Sequence, residues 1–124
     1  MKNWIFGTAI TFGILAVMNQ AFAQEIVAKR PDGLKAQVTV MKQEVPQRFE
    51  CMVAEIKEAH GNDKSTFLYV LKKNVTAYWD VREGDFPTKI IAVALNNHPC
   101  DFSTALYVIK KDTKASSELS SLLD

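Results

Sequence analysis

The chain of 124 residues contains only two cysteines, two histidines and five glycines, and its charges nearly cancel. Each scarcity excludes something. With Gly7 and Gly13 both inside the first 23 residues, no glycine-rich loop remains to cradle a phosphate. Cys51 and Cys100 lack the C-x-x-C spacing of redox-active or zinc-binding pairs. No block of basic residues occurs, so clustered Lys and Arg for a nucleic-acid backbone are missing; Lys72-Lys73 and Lys110-Lys111 read as solvated strand ends. No cofactor motif is found.

The one long uncharged run lies at the start. Lys2 precedes Trp4 to Met18, which carry no charge, and Ala21-Phe22-Ala23 forms an A-x-A site. This is the pattern of a cleavable signal peptide over 1–23, too short in its apolar part to span the roughly 30 Å of a bilayer core. The expected mature chain begins at Gln24, is periplasmic or secreted, and keeps no membrane segment. Only Lys2 is lost among the charges, so the mature net charge falls from +1 to zero. An oxidising compartment and two remaining cysteines predict a Cys51–Cys100 disulfide. Closing a loop of 49 residues stabilises a chain by about 4 kcal/mol in the chain-entropy account.

An internal repeat is present. Shifting the sequence by 38 positions aligns residues 60–73 with 98–111, identical at His, Asp, Ser, Thr, Leu, Tyr, Val, Lys and Lys. The expected layout is one domain over 24–111 with a two-fold repeat, followed by a mobile tail over 112–124 in which Leu119, Leu122 and Leu123 could form a loosely docked turn.

Around the repeat, Phe49, Met52, Val53, Ile56 and Ala59 fall at helical spacing between Pro46 and Gly61. A second helix is expected from Asp85 and Pro87 through Ile90, Ile91, Ala94 and Leu95. Residues 34–41 and 75–81 alternate apolar and polar, and Ser65–Lys72 and Ser103–Lys110 are rich in aromatic and β-branched residues, all strand signals. The predicted order is β-α-β-β-α-β, a ferredoxin-like α+β fold with a four-stranded antiparallel sheet and two helices on one face. A six-stranded antiparallel meander, with 49–58 and 88–97 as strands, is the alternative.

Candidate chemistry is sparse. His60-x-x-Asp63-x-Ser65 and His98-x-x-Asp101-x-Ser103 are not triad signatures, because polar residues before an element more often bond backbone amides. The histidines would lie apart in the ferredoxin-like arrangement and near one rim in the meander. Glu55 and Glu58 suit a solvated helix face; Asp80, Glu83 and Asp85 lack calcium-loop spacing. No catalytic or metal residue is assigned, and a small enzyme is a less favoured reading than a binding protein.

The repeated strands are apolar on both faces, so something should cover the second. Phe67, Tyr69, Leu71, Tyr78, Tyr107 and Ile109 form the expected open sheet face. The function this implies is an exported interaction module, an inhibitor or immunity-type partner of an envelope protein, binding a protein or itself through that face. A site for a small apolar ligand is the alternative.

Overall fold

The computed structural model describes residues 29–124. Residues 1–30 form a unit of their own, of which Lys29 and Arg30 alone are described, so the expected signal peptide, its cleavage site and residues 24–28 lie outside the described residues. The other unit, Pro31–Asp124, holds five helices: α1 (Leu34–Glu44), α2 (Pro46–His60), α3 (Lys64–Glu83), α4 (Thr88–Asn97) and α5 (Phe102–Leu123). No strand occurs among the described residues. Both the ferredoxin-like sheet and the six-stranded meander are therefore overturned.

The two helices expected from spacing are α2 and α4. Pro46 stands in the first turn of α2, where its missing N–H costs nothing, and Gly61 is its C-cap. Helix α4 starts later than expected, capped by Pro87 rather than Asp85.

The four expected strands are helical. Residues 65–72 and 75–81 both belong to α3, which runs 20 residues without glycine or proline, about 30 Å at 1.5 Å per residue. Its inward side chains, Phe67, Val70, Leu71, Asn74, Val75, Tyr78 and Val81, recur every three or four positions. In the run 67–71, Phe67, Val70 and Leu71 are half-buried in this central helix, which packs against α1, α2 and α5, while Leu68 and Tyr69 are exposed. In 34–41 the alternation hides a helical stripe: Leu34, Gln37 and Val38 are half-buried and Met41 is fully buried. Residues 103–110 lie in α5, which continues to Leu123, so the expected tail boundary falls within a helix. Lys72-Lys73 and Lys110-Lys111 are exposed within helices instead of ending strands.

Two apolar clusters hold the bundle. The larger gathers Met41, Met52, Ile56, Val75, Trp79 and Phe102 from α1, α2, α3 and the start of α5. Tyr78 stands edge-on to both Trp79 and Phe102, with ring centroids 5.6 and 5.4 Å away. The smaller cluster, Val81, Ala94, Ala105 and Ile109, joins α4 and α5 to the end of α3.

Polar ties set the register. The Tyr78 hydroxyl donates to Glu44, which also pairs with Arg82, whose guanidinium lies 4.5 Å from the Trp79 ring. Burial, reinforced by the Glu44 charge and hydrogen bond, pushes the Tyr78 hydroxyl well above its ordinary pKa. Asn74 is buried in α3; its amide donates to Val70 O and its Oδ1 accepts the Ser103 N–H of α5 at 3.2 Å. One side chain thus satisfies an orphan donor at the start of another helix.

Candidate functional site

The two repeat copies occupy the same local setting. Each runs from the end of one helix through a short turn into the next, α2 to α3 and α4 to α5. Asp63 caps α3: its Oδ1 accepts the Thr66 N–H at 3.1 Å and its Oδ2 the Thr66 hydroxyl at 2.7 Å. Asp101 caps α5 through Thr104 in the same way, at 3.0 and 2.7 Å. The Asp-x-Ser-Thr strings are helix starts, because a carboxylate there satisfies free N–H groups and meets the positive pole.

One turn further along each helix stands a tyrosine. Tyr69 is 63% exposed and Tyr107 is 67% exposed, with Leu68 beside the first at 47%. The Lys73 ammonium lies 5.9 Å from the centre of the Tyr69 ring. Between α3 and α5 runs an open groove of about 450 Å³, lined by Tyr69, Lys72, Lys73, Thr76, Ala77 and Asp80 of α3 and by Ser103 and Leu106 of α5. Tyr107 lies one turn beyond Ser103 on the same flank of α5.

The residues expected to share an open face are separated. Tyr69 and Tyr107 are exposed, Phe67 and Leu71 are half-buried against the larger cluster, and Tyr78 and Ile109 are core residues. A contact through a sheet face is ruled out, since the described residues form no sheet. The groups missed by sequence reasoning are polar side chains that tie one element to another. Asn74 sits where a turn between two strands was expected; its signal was the unbroken spacing around it. Arg48 donates to Leu95 O at 3.1 Å and Pro99 O at 3.3 Å, supplying positive charge to the end of α4, whose last turn has no basic residue. Burial lowers the Arg48 guanidinium from its ordinary pKa.

Cys51 in α2 and Cys100 in the α4–α5 turn form the disulfide, with Cα atoms 5.2 Å apart. Among the described residues, the cluster of potential metal ligands is Cys51, Glu55 and Cys100. Its two sulfurs are bonded to each other, and neither His60 nor His98 belongs to it. No described helix is long and apolar enough to cross a membrane.

No family model matches the chain, and neither the search of curated proteins nor that of solved structures finds a match.

Proposed function

We propose that this chain is an exported helical module, stapled by Cys51–Cys100, that acts by binding another protein through the α3–α5 face. The observation that carries this reading is the pair Tyr69 and Tyr107. Both are large, mostly exposed side chains at matching positions of two capped and mutually packed helices. Tyrosine is enriched at protein interfaces because it contributes broad apolar area and a polar tip at low entropic cost. A rigid helical backbone beneath it reduces what binding must order.

Export is supported by the sequence pattern of 1–23 and by a disulfide, a bond that persists in oxidising compartments. An inhibitor or immunity-type partner of an envelope protein fits this size and chemistry.

The test is capture from an envelope fraction with the chain and with Tyr69→Ser/Tyr107→Ser. Both substitutions are at the surface, so the variant should keep its helical circular dichroism. Loss of a specific partner in the variant is expected; an unchanged set of captured proteins would sink the reading.

A further inference from the structure

Each repeat copy carries a Tyr-x-x-Lys-Lys sequence, Tyr69 with Lys72 and Lys73 and Tyr107 with Lys110 and Lys111. In a helix, positions i, i+3 and i+4 share one side, so each sequence presents a tyrosine and two ammonium groups from a single turn. All six side chains are exposed. The two turns belong to helices that pack on each other; Tyr69, Lys72 and Lys73 line the groove between them, and the α5 side is lined by Ser103 and Leu106, in the turn before Tyr107 and Lys110.

The exposed charges on these two turns are all positive, while Asp80, which also lines the groove, and Asp112, next to Lys111, are half-buried. Over residues 64–79 and 102–111, the only charged side chains are Lys64, Lys72, Lys73, Lys110 and Lys111. The expected mature chain as a whole is neutral, so the four exposed lysines on these turns are a local excess at the surface. Acidic residues collect elsewhere, as on the exposed side of α2 at Glu50, Glu55 and Glu58.

We infer that the partner of this face is an acidic protein segment carrying apolar side chains between its carboxylates. This rests on the proposed binding function and names the chemistry of the partner. The lysines complement carboxylates and steer approach, while Leu106 and Ala77 in the groove offer contact to an apolar side chain between them. A bilayer surface could use the charge but not enter the groove. A nucleic acid could stack on tyrosine, but the face carries no arginine.

The probe is a synthetic peptide alternating Glu and Leu, titrated into the full chain, with its N-terminus identified by mass spectrometry, and followed by amide chemical shifts. Expected shifts map to 69–76 and 103–110. Lys72→Glu/Lys73→Glu should weaken binding by about tenfold or more, and raising salt from about 50 to about 500 mM should weaken it similarly. Tyr69→Ser should also weaken it.

The Glu→Gln peptide, phosphatidylglycerol vesicles and single-stranded DNA are the comparisons. Equal binding of the Gln peptide, or tighter Tyr69-dependent binding of vesicles or DNA, overturns the inference. A partner captured through Tyr69 and Tyr107 that is indifferent to Lys72→Glu/Lys73→Glu and to salt also overturns it, while leaving the proposed function standing. Loss of Tyr-dependent capture altogether removes both.

Discussion

The α2–α3 hairpin and the α4–α5 hairpin share a turn chemistry but not an anchorage. Both have an aspartate cap bonded to a threonine three residues on, and both expose a tyrosine in the following turns. The first is held by packing, because α3 touches α1, α2 and α5 around Trp79 and Tyr78. The second leans on α3 through smaller residues, Ala94, Ala105 and Ile109, and its turn is tied to α2 by Cys51–Cys100 and Arg48. Helices α2 and α5 share little packing surface, so those ties carry that connection. Identical local instructions thus produce similar turns, while stability at each comes from a different source.

Breaking the disulfide should have the largest effect. Cys51→Ala/Cys100→Ala is expected to lower unfolding free energy by up to about 4 kcal/mol, measured by urea denaturation. Hydrogen exchange should show α4 and the start of α5 losing protection before α3 does; uniform loss would contradict the difference in anchorage.

Next comes the position where the copies differ in size, Phe67 against Ala105. Ala105 is fully buried, so Ala105→Phe should cost about 1–3 kcal/mol by overpacking. Phe67 is only half-buried, and Phe67→Ala should cost less than the roughly 3–5 kcal/mol of a fully buried phenylalanine. Thermal unfolding of the two variants measures both.

The caps give a smaller contrast. Asp101→Ala should cost about 1 kcal/mol, read from the same denaturation curves. Asp63 is held below the ordinary aspartate value of 3.8, first by the Thr66 hydroxyl and then by its amide. A lowered pKa means that its contribution is present above the ordinary value and is lost as pH falls through and below it. Fraying of the first turn of α3 on acidification, absent in Asp63→Asn, is the expected result by exchange at Thr66 and Phe67.

The smallest effect on folding is expected at the face itself. Tyr69→Ser and Tyr107→Ser should each change stability by no more than about 0.5 kcal/mol. A larger loss from either would show that its ring packs on its own domain, and would separate the two copies at the point where they look most alike.

The sequence was informative about ends and poor about middles. Pro46, Gly61 and the helical spacing of 49–59 located α2, and the Ile90–Leu95 stripe located α4. Residues 65–81 misled because Tyr, Val, Thr and Phe suit strands when read in short windows. The length of the stretch without glycine or proline was the better signal. Of the residues expected on a common face, Tyr69 and Tyr107 are at the surface, while Tyr78 and Ile109 are inside. Tyr78 is buried, unlike Tyr69, because Glu44 of α1 and Phe102 of α5 converge on it from other elements.

By itself the sequence located α2 and α4 and determined which cysteines pair. Caps act over three or four residues, and two cysteines admit one bond. The tertiary structure decided that 64–83 is one helix and not two strands, that Asn74 is buried and bonded to Ser103, and that Tyr69, Lys72 and Lys73 line a groove against Ser103 and Leu106 of α5. Those outcomes depend on which distant residues remove a side chain from water, and neither propensity nor spacing encodes that within a single segment.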